Sequence, residues 1–239
     1  MCISVVYNNV PLQPGLKTGW GFAAVIETPD GNTLFDTGGD GGTLLDNMER
    51  LGFSPADIQT VVLSHNHGDH TGGLEAFLQQ NADLSVYIPE SFPESFQNWI
   101  AAFGAQVVCI GNDPTRLRGP LHSTGEMGRG FPEQALIVES AHGPVLITGC
   151  AHPGIWNMAS RVDAYLGQGV YLVLGGMHLM GMHSLQAQGI IAKLQSMGVN
   201  KVAPSHCTGQ KIIEVFRRAW GPDFINGGCG AGIELELAK

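Results

Sequence analysis

Four side chains able to bind a metal ion lie within six residues of this chain. His65, His67, Asp69 and His70 follow the spacing H-x-H-x-D-H in the segment LSHNHGDHTGGL (63–74). Imidazole nitrogens and carboxylate oxygens without a thiolate suit Zn²⁺, with Mn²⁺ or Fe²⁺ as alternatives. The other interpretation is a histidine-rich loop that caps a helix, but gathering these side chains is costly without a cation to neutralise and orient them. The spacing therefore predicts a metal-binding segment.

The segment before these residues has the pattern of a buried strand. Residues 58–63 (IQTVVL) are apolar, rich in β-branched side chains and bounded by turn residues. On an extended backbone, residues two apart point the same way, so His65 and His67 can face one ion. Asp69 and His70 come at the turn into the next segment, where they can face a second ion from the other side.

This motif and a second segment resemble those of the metallo-β-lactamase superfamily. The segment AAVIETPDGNTLFDTGG (23–39) is similar to the family's opening β-hairpin, which ends in an Asp-x-Gly turn, here Asp36 to Gly38. The resemblance extends over essentially the whole chain. It implies one domain (1–239) of α/β class, an αβ/βα sandwich of two mixed sheets with helices outside and metals at one sheet edge. We expect Asp36 to hydrogen-bond a ligand histidine and fix its tautomer.

Further ligands are expected where later strands end. Residues 134–140 and 144–148 have the pattern of a second hairpin, which leads into the turn TGCAHPG (148–154). Most of the superfamily carries a T-G-D turn here, whose Asp bridges the two metals, so Cys150 replaces an expected carboxylate. Cys150 is either a thiolate ligand or a small buried apolar residue, and the sequence leaves both open. His152 is predicted to be a ligand.

Two more strands lead to histidines at the same edge. The run GVYLVL (169–174) is followed by His178, and residues 201–204 are followed by His206. In the superfamily the last metal histidine follows such a strand, so the resemblance implies that His206 is a ligand. His178 is predicted to contact substrate or an outer group, and Asp69 and His178 are the candidate catalytic residues. The remaining histidines are predicted to be structural: His122, His142 and His183, the last at the start of a helix over residues 184–197.

These assignments predict two metal sites, both expected to hold zinc. The first comprises His65, His67 and His152, and the second Asp69, His70 and His206. Two ions about 3.5–4 Å apart could share a water and lower its pKa toward about 7, which would activate it for attack on a carbonyl or phosphorus centre. His122 stays open as an alternative ligand, because the usual third-motif histidine of the superfamily falls in that region.

The set of motifs GWGF, SHNHGDHTGGL, TGEM, TGCAHPGI, GGMHL and SHCTG resembles one subgroup in particular. That subgroup is typified by archaeal dihydropteroate-synthase-like enzymes, which join a pterin pyrophosphate ester to a ribofuranosyl-aminobenzene phosphate. The resemblance implies a site able to hold a phosphorylated or aromatic substrate, with Glu126 and Arg129 as candidate contacts. Three hypotheses follow: a hydrolase of a phosphorylated or ester-like molecule, a transferase that requires a second organic substrate, and a metal-binding sensor without turnover.

The composition of the chain limits the kinds of molecule that it is expected to bind. A net charge of −9 with only 12 Lys plus Arg argues against a nucleic-acid groove. The chain has no run of roughly 18 apolar residues and no signal-like amino terminus, so we expect neither membrane insertion nor secretion. Five widely spaced cysteines without a C-x-x-C pair predict free thiols in a reducing cytoplasm. The expected partner is a small molecule, and a homo-oligomer stays open.

Overall fold

Two β-sheets pack face to face between two layers of helices in the computed structural model, which describes residues 1–238. Within this range the strands are β1 (Cys2–Asn8), β2 (Phe22–Thr28), β3 (Gly31–Phe35), β4 (Ile58–Val62), β5 (Ser85–Pro89), β6 (Gln106–Ile110), β7 (Thr115–Arg118), β8 (Leu121–Ser123), β9 (Leu136–Val138), β10 (Val145–Thr148), β11 (Leu172–Gly176), β12 (Lys201–Ser205) and β13 (Gly232–Glu234). The α-helices are α1 (Gly41–Arg50), α2 (Gly68–Thr71), α3 (Leu74–Gln80), α4 (Glu94–Ala102), α5 (Ile155–Leu166), α6 (Ser184–Ser196) and α7 (Gln210–Trp220).

Both sheets are mixed. The first has the strand order β13-β1-β2-β3-β4-β5-β6, and the second has the order β12-β11-β10-β9-β8-β7. Strands β3 to β6 are parallel to one another, as are β10 to β12, and the remaining neighbours are antiparallel. The predicted αβ/βα sandwich is therefore confirmed.

A shared core fills the space between the sheets, because alternate side chains of a strand point to opposite faces. Phe22, Ala24 and Ile26 of β2 pack in this inner core, whereas Ala23 and Val25 face the outer helices. Helices α1, α3 and α4 cover the outer face of the first sheet, and α5, α6 and α7 cover that of the second.

The helices bury one face each. In α7 the buried residues Ile212, Phe216 and Trp220 are four positions apart and so line a single stripe. Burying each such side chain stabilises the fold by roughly 1.5–3 kcal/mol. None of the helices within residues 1–238 is both long enough and apolar enough to cross a bilayer.

Most elements lie where the sequence predicts them, and one strand is displaced. Helix α6 and strands β4, β10 and β12 lie within two residues of their predicted bounds. The strand predicted over residues 169–174 instead spans Leu172–Gly176, so it includes Gly175 and Gly176. These glycines belong in the strand because β10 approaches closely: a Cβ at Gly175 would overlap the carbonyl oxygen of Thr148.

The carboxyl ends of β3, β4, β10, β11 and β12 lie at one edge of the sandwich. Four residues that closely follow these strands have positive φ angles: Asp36 (55°), Ala151 (58°), His178 (51°) and His206 (47°). Across residues 1–238 no other non-glycine residue has a positive φ. Each such conformation costs on the order of 1–3 kcal/mol and persists only where surrounding contacts hold it. Backbone strain is thus concentrated at this edge.

Candidate metal centre

Two groups of three metal-binding side chains lie next to each other at the strained edge. One group consists of His65, His67 and His152, and the other of Asp69, His70 and His206. Within each group the ligand atoms all lie within 4.8 Å of one another. The structure therefore brings together the six side chains predicted to bind two ions, and their role as ligands stays a prediction.

A change of backbone direction lets one short segment contribute to both groups. His67 is extended (φ −112°, ψ 145°) and immediately precedes the single-turn helix α2. His65 and His67 therefore face the first group from extended backbone. Asp69 and His70 lie on the helical turn and face the second group.

A buried carboxylate orients two of the histidines. Asp36 accepts hydrogen bonds from the backbone N–H and the hydroxyl of Ser64, both at 2.7 Å, and its Oδ2 lies 2.7 Å from Nδ1 of His70. The Ser64 hydroxyl also lies 2.8 Å from Nδ1 of His65. Since that hydroxyl donates to Asp36, it accepts from His65, so both rings carry their proton on Nδ1 and direct the Nε2 lone pair at the cluster. Asp36 thus makes the contact predicted from the sequence.

Burial keeps these imidazoles neutral, as metal ligands must be. It lowers the pKa of His65 to about 3 and the pKa of His70 to about 4, because a charged ring loses its hydration inside the protein. Burial also raises the pKa of Asp36 to about 7. Burial acts to raise the pKa of Asp69 as well, but the neighbouring His206 and His70 outweigh that effect and hold it below its usual range.

Glu133 holds the turn that carries His152. This fully buried carboxylate accepts hydrogen bonds from the backbone N–H groups of Cys150, Ala151 and His152 at 2.8–2.9 Å. Its Oε2 also lies 2.7 Å from Nδ1 of His152. Burial alone would raise the pKa of Glu133, but the hydrogen bonds from His152 and the nearby His65 bring it to about 2. The carboxylate is therefore ionised, and it stabilises the turn that contains the strained Ala151.

The nitrogens that face the cluster lack partners suited to them. Nδ1 of His206 lies 2.7 Å from Oδ1 of Asn9, which leaves Nε2 directed inward. That buried Nε2 lies 3.3 Å from Asp69 without the alignment of a hydrogen bond, and nothing else in residues 1–238 pairs with it. An unpaired buried polar atom costs about 1–3 kcal/mol. Nε2 of His65 and Nδ1 of His67 are 3.0 Å apart, a contact that needs a cation or a shared proton. These nitrogens fit a metal centre.

The sulfur of Cys150 lies between the two groups. It is 3.4 Å from Nε2 of His70. It also lies within 4.8 Å of a ring nitrogen of His65, from the first group, and of His206, from the second. Cys207 lies beside it, and the interaction between the two buried thiols lowers the pKa of Cys207 to about 5 and raises the pKa of Cys150. Cys150 thus occupies the position at which a bridging ligand would be expected.

An open cavity of about 420 Å³ lies above the cluster. Its lining consists of Trp20, His67, Asp69, Cys150, His152, His178, Met180 and Cys207. Trp20 packs on the ring of His206 with a centroid distance of 4.7 Å, and Phe131 packs on His67 at 5.4 Å. Trp20, Phe131 and Met180 are 47–61% exposed, so their apolar surfaces are open to a bound molecule. Among residues 1–238, no lysine or arginine lines the cavity.

His178 reaches this cavity as predicted, whereas two other candidates do not. Its ring centroid is 4.5 Å from that of His152, and the neighbouring thiol of Cys207 raises its pKa. Glu126 instead accepts a hydrogen bond from the backbone of Ser91 at 2.8 Å. Arg129 is exposed on a loop, and it does not line the cavity either.

The histidines predicted to be structural lie away from the cluster. His122 lies between Glu139, at 2.7 Å, and the hydroxyl of Tyr165, at 3.1 Å, so it is not available as the alternative ligand that the sequence left open. His142 is exposed in the turn before β10 and packs on Tyr171. His183 immediately precedes α6.

Four residues of the centre escaped the sequence analysis. Ser64 and Cys207 directly adjoin predicted ligands, and a polar or sulfur side chain beside a metal histidine is a usable signal. Glu133 and Asn9 have no such signal, because they meet their histidines only after folding, across 19 and 197 positions of sequence.

Comparisons with known proteins show which family the chain resembles. The family model described as the metallo-beta-lactamase superfamily matches residues 19–206. The 7,8-dihydropterin-6-methyl-4-(beta-D-ribofuranosyl)-aminobenzene-5'-phosphate synthase of Methanocaldococcus jannaschii is 29% identical, with 80% of this chain and 80% of the synthase covered.

Solved structures share the fold. The crystal structure of Tm1679, a metal-dependent hydrolase of the beta-lactamase superfamily, superposes with a TM-score of 0.83 at 24% identity and covers 99% of both chains. The short form of human tRNase Z superposes with a TM-score of 0.70 at 11% identity, over 99% of this chain and 100% of that one. At these identities the likeness establishes the architecture alone, and it agrees with the sandwich described above.

Proposed function

The chain belongs to the metallo-beta-lactamase superfamily, and we propose that it is a metal-dependent hydrolase of small molecules. Two zinc ions are the proposed cofactors, with Mn²⁺ or Fe²⁺ as alternatives. One observation carries the proposal: two groups of three ligand atoms border a single open cavity. Three protein ligands with a position left open is the arrangement of a catalytic zinc site, whereas structural sites use four.

The six proposed ligands form two sets of three, one for each ion. His65, His67 and His152 would hold one ion, and Asp69, His70 and His206 the other. When bound, the two ions would supply an activated water and a positive charge for the developing oxyanion. Two buried carboxylates fit this chemistry. Asp36 and Glu133 set the tautomers of His70 and His152 before any substrate binds.

The remaining residues of the cavity would bind and orient the substrate. His178 is exposed in the cavity, yet both groups are complete without it, so it is free to move a proton to or from the leaving group. Trp20 and Met180 line the cavity, and Phe131 packs on His67 and His152 beside it, which favours a substrate with a flat or apolar portion. Since no lysine or arginine in the described part of the chain lines the cavity, a phosphate would bind at the metals themselves.

A transferase is the second candidate, and the resemblance to the archaeal synthase over 80% of both chains favours it. In that case the same ligands would bind the pyrophosphate of a pterin ester, and an atom of the aminobenzene partner would attack in place of water. The aromatic rings of Trp20, in the cavity lining, and of Phe131, packed beside the cavity on His67, suit either substrate.

A direct experiment separates the two. The zinc-reconstituted full-length protein is incubated in ¹⁸O-labelled water with phosphodiesters and lactones, and separately with a pterin pyrophosphate ester plus its aminobenzene partner. A hydrolase gives chelator-sensitive turnover with the label in the product. Conversion only when both organic substrates are present, without label in the joined product, would replace the hydrolase proposal by the transferase.

A further inference from the structure

Two buried thiols meet on the floor of the cavity although their strands are not neighbours. Cys150 follows β10 and Cys207 follows β12, with β11 between them. Adjacent strands are about 4.8 Å apart, so side chains at the ends of alternate strands are expected roughly 10 Å apart. Instead, the two sulfurs lie within 4.8 Å of each other and of a ring nitrogen of His206.

The glycine at the end of the middle strand makes this approach feasible. A Cβ at Gly176 would overlap the carbonyl oxygen of Gly149 and lie only 2.6 Å from the sulfur of Cys207. Without that atom, the sulfur of Cys207 lies 3.7 Å from the carbonyl oxygen of Cys150. The backbone N–H of His178 points at the same sulfur from 3.3 Å, so the sulfur of Cys207 is held in place beside Cys150.

We propose that Cys150 and Cys207 form a modification site, at which a peroxide oxidises the pair to an intramolecular disulfide. Both residues line the open cavity, so a molecule as small as hydrogen peroxide reaches them. The three other cysteines are elsewhere: Cys2 on β1, Cys109 exposed on β6, and Cys229 buried against Asn47. None of these three lines the cavity, so the site has a unique pair of sulfurs.

The chemistry balances in two steps. The sulfur of Cys207 attacks one peroxide oxygen, the O–O bond breaks, and a sulfenic acid forms with release of water. The sulfur of Cys150 then attacks that sulfenic sulfur, forms the S–S bond and releases a second water. Two thiols thus lose two electrons and two protons, and one hydrogen peroxide is reduced to two waters.

Disulfide formation and metal binding would exclude each other. The sulfur of Cys150 lies among ligand atoms of both groups, and Cys150 shares the turn held by Glu133 with His152. Drawing this sulfur to Cys207 would therefore displace the turn, and the ligand His152 with it. This second part rests on the proposed metal centre, whereas disulfide formation itself does not.

The test uses full-length protein in two forms, freed of metal with a chelator and reconstituted with zinc. Each is treated with hydrogen peroxide, alkylated and digested, and the peptides are mapped by mass. In the metal-free form, two of the five thiols are expected to disappear, with one linked peptide containing Cys150 and Cys207. The zinc form is expected to react more slowly and to release its metal as the link forms, and dithiothreitol restores both thiols.

Variants provide the controls. Cys150→Ser and Cys207→Ser should each abolish the linked peptide, with Cys207→Ala as a second choice if the serine variant does not fold. Cys109→Ser should leave the link unchanged. Oxidation of the metal-free protein at other cysteines only, or to sulfinic acid without a link, would overturn the proposal. A link that forms equally fast while zinc stays bound would overturn the exclusion, and protein that binds no zinc would instead refute the proposed function.

Discussion

The two ends of the sandwich carry cavities of opposite character. The larger, about 690 Å³, lies where β2 ends and β11 begins, and its polar groups include the exposed side chains of His142, Glu234 and Glu236. The smaller, about 420 Å³, lies at the other end, above the buried rings of His70 and His206. The polar groups of the larger cavity are therefore hydrated, whereas the histidines beneath the smaller cavity are buried and contact neighbouring protein side chains instead of water.

This difference shows that burial and mutual orientation mark the site better than volume does. At the metal end, His65, His70, His152 and His206 each have a partner that fixes the ring. Burying an imidazole costs free energy, and a hydrogen-bond partner offsets that cost. A cluster of buried, oriented titratable groups is typical of a functional site. At the opposite end, the exposed ring of His142 packs on Tyr171 and keeps its hydration, so it needs no buried partner.

The largest effect is expected from removing a histidine at each end. His70→Ala should lose one metal equivalent and reduce turnover by more than the roughly 10–100-fold typical of losing an outer partner. His142→Ala should keep both metal and turnover. Metal analysis and chelator-sensitive rates measure the two variants side by side. Equal losses of metal and turnover in the two variants would contradict the placement of the metal centre at this end of the sandwich.

The next largest effect concerns turnover without loss of metal. His178→Ala should lower kcat by about 10²–10⁴-fold, the range for removing a proton-transferring group, while metal content stays the same. His183→Ala, a matched change at the start of α6, should have little effect on either. If His178→Ala strips one metal, His178 is a ligand and the assignment of His152 or His206 is wrong.

A smaller effect is expected from the carboxylate behind His152. Glu133→Gln should weaken zinc affinity by about 10–100-fold, because the ionised partner that orients the ring is lost. Glu139→Gln is the matched control, since Glu139 also contacts a histidine, His122, but outside the centre. Competition against a zinc-binding dye measures both. An unchanged affinity in Glu133→Gln would reduce Glu133 to a role in holding the turn.

The smallest effect is expected from the neutral partner of His206. Asn9→Ala should cost about 1 kcal/mol of zinc binding, roughly a fivefold change in affinity, as for an uncharged hydrogen bond. The same dye competition applies. A loss larger than that of Glu133→Gln would contradict the expectation that charged partners orient the rings more strongly.

Local geometry explains how much of the centre the sequence could predict. The H-x-H-x-D-H segment positions its four side chains through one strand end and one helical turn, so their convergence at this edge could be predicted from spacing. Asp36 was predictable through the resemblance of its hairpin. Glu133 was not, because its function depends on the folded turn at residues 150–152. The displacement of β11 was missed for the same reason, since only the packed neighbour shows why Gly175 must lie in the strand.

The most direct measurement is the metal content of the full-length protein after reconstitution with zinc and removal of excess metal. The two groups of ligands predict close to two equivalents of zinc per chain. A single tightly held ion would indicate that Cys150, in place of the usual carboxylate, has weakened one site. No more than trace metal would contradict the assignment of this edge as a metal centre.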